Sequence, residues 1–109
     1  MDLKKETQQK IQEIQVLEQN LNQILMQKQS FQMELNESQN ALSEIKISKD
    51  DVFKLIGQIM IKADKKKTEQ ELIKKNELLT LRLKSIEKQE DEFSHQVDKL
   101  REEIMKEIK

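Results

Sequence analysis

The residues that could do chemistry are few and badly spaced for it. His95 is the only histidine, and there is no cysteine. A structural or catalytic metal needs three or four imidazole, thiolate or carboxylate ligands converging on one point, and His95 has no second histidine or thiolate to converge with. A Ser-His-Asp or Cys-His arrangement is equally out of reach, and Glu102-Glu103 reads as an ordinary exposed carboxylate pair on a helix. Gly57 is the only glycine, so no glycine-rich loop exists to cradle a phosphate. Lys65-Lys66-Lys67 is a basic run without aromatic neighbours on which bases would stack. Lys and Arg number 20 against 21 Asp and Glu, for a net charge of −1, which leaves no surplus of positive charge to hold a nucleic-acid backbone. The expectation is a chain that is not an enzyme, has no cofactor or metal, and does not bind nucleic acid.

The informative spacing belongs to the apolar residues. Val52–Lys62, VFKLIGQIMIK, is the only run dense in β-branched, aromatic and aliphatic side chains, and it holds the sole glycine of a chain without proline. Two such runs around a Gly-x pair are a hairpin signal. Glycine at the first loop position suits a type II′ turn, which needs positive φ there. The reading is strand Phe53–Ile56, loop Gly57-Gln58 and strand Ile59–Lys62. Cross-strand partners share a face, so Val52, Lys54, Ile56, Ile59 and Ile61 fall on one face. Phe53, Leu55, Met60 and Lys62 fall on the other. A lone two-stranded hairpin is marginal in water and an uncovered apolar edge invites pairing. Val52, Phe53, Leu55, Ile56, Gly57, Ile59, Met60 and Ile61 are therefore expected to be an assembly element.

The flanks must position that hairpin. Charged residues make up 38% of the chain and aromatics 3%, too polar for a large globular core but normal for long helices with one apolar seam. Asp2 is placed as the cap of a helix starting near Leu3. In a heptad frame begun at Thr7, the positions Ile14, Leu17, Leu21, Ile24, Phe31, Leu35, Leu42 and Ile45 are apolar, and the exceptions are Thr7, Lys10, Lys28 and Ser38. After the hairpin, Ala63–Lys67 is read as a charged connector, and Thr68-Glu69-Gln70-Glu71 as a capping box opening the second helix. Its seam is Leu72, Asn76, Leu79, Leu83, Ile86, Glu90, Phe93, Val97, Leu100 and Ile104. Seams of this length are coiled-coil seams. The fold expected is mainly α: an antiparallel two-helix coiled coil with a central β-hairpin, as one domain with helices at 1–46 and 68–109 and the hairpin with its linkers at 47–67. The register should set Leu35 on Leu79, Phe31 on Leu83 and Ser38 opposite Asn76, with Lys28 within reach of Glu90. So narrow a core usually needs oligomerisation to be stable. No signal peptide is read in MDLKKETQQK and no apolar run approaches the length of a membrane span, so the expected location is the cytoplasm.

With these elements in place, the chain resembles a prefoldin subunit of the β class. The match is sharpest at Asp51-Val52-Phe53-Lys54-Leu55-Ile56-Gly57 followed by Ile59-Met60-Ile61-Lys62, and extends to the Gln-rich first helix around Gln27-Lys28-Gln29. The α class carries two hairpins, whereas Ile47–Lys67 leaves room for one. The resemblance implies a hexamer of two α-class and four β-class subunits, joined by hairpins that form β-barrels. It implies coiled coils whose tips hold unfolded proteins without nucleotide and deliver them to a group II chaperonin. The tip residues would be Leu3, Ile11, Ile104, Met105 and Ile108. Ile11 and Met105 lie outside the heptad frame and widen the apolar surface, and flexible Met suits varied clients. The alternative function is a structural coiled-coil adaptor or tether acting as a homo-oligomer. An antiparallel helical arm of an enzyme fits less well, because a plain turn would serve there in place of the hairpin.

Overall fold

The computed structural model describes residues 4–108. Two long helices, α1 (Lys5–Ile47) and α2 (Lys65–Ile108), flank the strands β1 (Val52–Ile56) and β2 (Ile59–Ala63). Contacts group the chain into two compact units: Met1–Gln29 with Lys84–Lys109, and Ser30–Leu83. Each unit takes part of α1 and part of α2. The expected helix start at Leu3 and the Asp2 cap lie outside the described residues, and the described helix opens with Gln8 N–H donating to the Lys4 carbonyl at 3.0 Å.

The heptad frame reads the seams of both units correctly. Every position assigned to it, on α1 from Thr7 to Ile45 and on α2 from Leu72 to Ile104, is buried or half-buried. In the Ser30–Leu83 unit, Leu35, Leu79 and Leu83 form one cluster with Phe31 packed against it, which is the expected pairing. Arg82 lies over the Phe31 ring, 5.7 Å from its centroid, a cation–π contact with the ring face. In the other unit Ile24, Ile86, Val97 and Ile104 are the buried apolar side chains. A fully buried aliphatic side chain contributes about 1.5–3 kcal/mol, so each unit rests on a handful of such residues.

The polar seam positions are handled in different ways. Lys28 donates to Glu90 at 3.0 Å. Thr7, the most buried side chain at 2% exposure, donates its hydroxyl to Glu107. Lys10 reaches Glu107 at 2.5 Å and Glu103 at 3.4 Å. The Glu107 carboxylate is held below its ordinary range, first by the hydrogen bond from Lys10 and then by that from Thr7. Ser38 and Asn76 differ: Ser38 Oγ and Asn76 Oδ1 are buried without a protein partner. A buried polar atom left unpaired costs about 1–3 kcal/mol.

The start of α2 differs from the sequence expectation. The helix begins at Lys65, not Thr68. Asp64 is the cap: its carboxylate accepts from Lys66 N–H at 3.2 Å, and its carbonyl accepts from Thr68 N–H at 2.9 Å. Thr68 is buried inside the first turn and gives its hydroxyl to the Asp64 carbonyl at 2.7 Å. Three lysines in a first turn oppose the helix dipole, which is why the sequence suggests a later start. The aspartate cap and the Lys65 ammonium, which donates to the Ser48 carbonyl at 2.7 Å, offset that. At the other end of the linker, Asp50 N–H donates to Ser48 Oγ at 3.2 Å, a local turn after α1.

The hairpin pairs Ile56 with Ile59, Leu55 with Met60, Lys54 with Ile61, Phe53 with Lys62 and Val52 with Ala63. This is the expected register with each strand one residue longer. Gly57 has φ +61°, and no other described residue has positive φ. A type I′ turn would need positive φ at Gln58 as well, so the turn is type II′.

Two outcomes follow from this packing. Replacing the unsatisfied layer by apolar groups, Ser38→Ala with Asn76→Leu, should stabilise the fold by about 1–3 kcal/mol, read as a higher urea midpoint; a lower midpoint would mean that the layer is satisfied by solvent. Gly57→Ala should cost about 1–2 kcal/mol, because a Cβ disfavours the left-handed region. Faster amide exchange confined to β1 and β2 would show it, with α1 and α2 unchanged.

Candidate functional site

Alternation is what places apolar side chains on both sides of the hairpin. With period two, Val52, Lys54, Ile56, Ile59, Ile61 and Ala63 share one face, while Phe53, Leu55, Met60 and Lys62 share the other. The covering is uneven. Val52, Lys54 and Ala63 are half-buried. Phe53 is 54% exposed, Leu55 70%, Ile56 60%, Ile59 65%, Met60 72% and Ile61 48%. Six large apolar side chains of one short hairpin are thus open to solvent, and the two-stranded sheet leaves a free edge on each side. Isolated exposed apolar residues are ordinary, but a contiguous patch of this kind marks an interaction surface. The free edges have backbone donors and acceptors suited to further strands.

One charged group interrupts the first face. The Lys54 ammonium pairs with the Glu71 carboxylate of α2. That hydrogen bond is the main cause of a Glu71 carboxyl held below its ordinary range. Glu71, read in the sequence as the far half of a capping box, is instead the partner of a strand residue. On the other face Lys62 lies 3.5 Å from Asp51, both well exposed.

The residues expected at the helix tips are placed differently from one another. Leu3 lies outside the described residues. Met105 is 56% exposed and Ile108 44%. Ile11 is half-buried, and Ile104 is buried at 9% exposure as a seam residue. In the same unit a groove between α1 and α2 is lined by Val16, Leu17 and Leu100 among glutamines and charged residues, with Val16 56% exposed. The sequence reading passed over Val16, although an apolar residue outside the heptad frame is the same signal that singled out Ile11 and Met105. Among the described residues no group of three or more His, Asp or Glu side chains gathers as metal ligands would. No described helix is long and apolar enough to cross a membrane.

Comparison with known proteins agrees with this geometry. The Prefoldin subunit family profile matches residues 8–109. A prefoldin subunit beta of Pyrobaculum arsenaticum is 40% identical over 90 residues, covering 81% of this chain and 73% of that protein. One of Pyrococcus horikoshii is 37% identical over 89 residues, covering 80% and 76%. The crystal structure of the prefoldin beta subunit from Thermococcus strain KS-1 superposes with a TM-score of 0.88 at 30% identity, over 96% of this chain and 94% of that one. An apolar hairpin between two antiparallel seams, in a sequence related to these over most of its length, makes the chain a member of the prefoldin subunit family, in its β class.

Proposed function

We propose that this chaperone subunit acts as an ATP-independent holdase within a hetero-hexamer, assembled through its hairpin with α-class and other β-class subunits. The observation that carries the reading is the exposure of the hairpin's large apolar side chains on both faces. Burial is worth roughly 25 cal/mol per Å², so covering such a surface is a strong driving force, and added strands would also satisfy the free edges. The seams, with few buried residues per unit, gain from the same association.

Client capture is assigned to the helix tips. Met105 and Ile108 offer exposed apolar surface, Ile11 offers part of its side chain, and Leu3 precedes the described residues. Ile104 takes part only where the helix ends separate, since it is buried in the seam. Each such contact is weak, and several subunits in one assembly raise the effective concentration of contacts. Broad, apolar contacts of this kind suit unfolded proteins, which the complex passes to a group II chaperonin. Because the attraction is not chiefly ionic, capture should tolerate added salt.

Assembly is tested by Ile59→Asp, which sets a charge in the apolar face. Native mass spectrometry of the chain co-expressed with an α-class subunit should show the hexamer for the parent and its loss for the variant. An intact variant hexamer would remove the hairpin from assembly, and a stable homodimer of the parent alone would favour a tether. Capture is tested by changing Ile11, Met105 and Ile108 together to Ser. The hexamer should persist, because these residues lie outside the hairpin's unit, while suppression of aggregation of a denatured client should fall to background. Protection equal to the parent's would move capture to other surfaces.

A further inference from the structure

Lys54 is out of place by composition: the rest of its face is Val52, Ile56, Ile59, Ile61 and Ala63. A charge turned into an apolar strand face is a known means of preventing indiscriminate edge pairing. It also obstructs legitimate burial, because an unpaired charge in an interface is costly. The structure supplies the missing partner from outside the sheet. Glu71, in the second turn of α2, pairs with the Lys54 ammonium, and the two side chains are 48% and 38% exposed. Among the described residues this is the ion pair that joins a strand to a helix. Lys62 pairs with Asp51 next to its own sheet, and Lys65 ties the linker carbonyl of Ser48 to α2.

We propose that Glu71 is a positioning residue for assembly: by pairing with Lys54 it sets the hairpin on α2 and neutralises the one charge on the Val52–Ile61 face, so that this face accepts a neighbouring prefoldin subunit and rejects other exposed strands. The inference rests on the assembly reading above. The Glu71 carboxyl, held low by Lys54, remains charged throughout the neutral range, so the pair is intact when subunits meet. As the neighbour excludes water, the pair strengthens. Removing one member leaves the other charge to be buried alone.

The test uses the full chain co-expressed with an α-class subunit that assembles with the parent, with hexamer yield read by native mass spectrometry. Glu71→Gln, which keeps shape and loses charge, should lower hexamer formation at least about tenfold, and Glu71→Lys should lower it further. Helical circular dichroism should be unchanged in both. Lys54→Arg should assemble normally. The exchanged pair, Lys54→Glu with Glu71→Lys, should recover most of the parental yield, which a merely helix-destabilising effect at position 71 would not allow. Ile59→Asp separates the two ideas. If it assembles, the hairpin reading itself fails. If it does not assemble while Glu71→Gln and Glu71→Lys do so like the parent, the hairpin reading stands and the role of Glu71 is overturned. Failure of the exchanged pair to recover would overturn it too.

Discussion

The constraint on which the rest of this protein depends is that a two-helix seam buries very little. In each unit a few leucine, isoleucine, valine and phenylalanine side chains leave water, and the conformational entropy of long ordered helices opposes them. The seam nevertheless carries polar residues in both units. Thr7 gives its hydroxyl to Glu107, and Lys10 and Lys28 pair with Glu103, Glu107 and Glu90; the lysine pairs are partly exposed and so contribute modestly. Ser38 Oγ and Asn76 Oδ1 find no protein partner. Polar residues at seam positions reduce stability but oppose shifted pairings, which favours one alignment over a stronger but slippery seam.

The hairpin is the counterpart of that thin core. Its side chains are those of a buried sheet, yet in the single chain most of them face solvent. Such a surface is a liability unless a specific partner covers it. Its shape is held by local means: a type II′ turn at Gly57, the Asp64 cap immediately after β2, and the Ser48 carbonyl that accepts from Lys65. These contacts fix the turn and the links to the two helices within one unit. In the proposed assembly, folding and association are linked, because what destabilises the isolated subunit would also draw it to its neighbours.

The physical basis of the proposed client capture is exposure. Met105 and Ile108, outside the seam, keep apolar surface available. Methionine adapts to many shapes because its side chain is unbranched and polarisable. A protein that must hold unrelated unfolded chains benefits from surface of this kind more than from a shaped pocket.

Period and turn chemistry were legible without any structure. The spacing of apolar residues identified every seam position of α1 and α2. The single glycine located the turn, and alternation around it assigned the two hairpin faces, because backbone preference and side-chain period are local properties. Tertiary structure decided matters that depend on distances between residues far apart in the chain. It moved the start of α2 to Lys65, since the Ser48 carbonyl that receives a lysine of the first turn arrives from the far side of the hairpin. It gave Glu71 to Lys54 in place of its own helix terminus. It left Ile11 half-buried and Met105 56% exposed, although both lie outside the heptad frame. Which polar seam residues would be paired and which left unpaired was decided in the same way, by whether the facing helix happened to bring a carboxylate within reach.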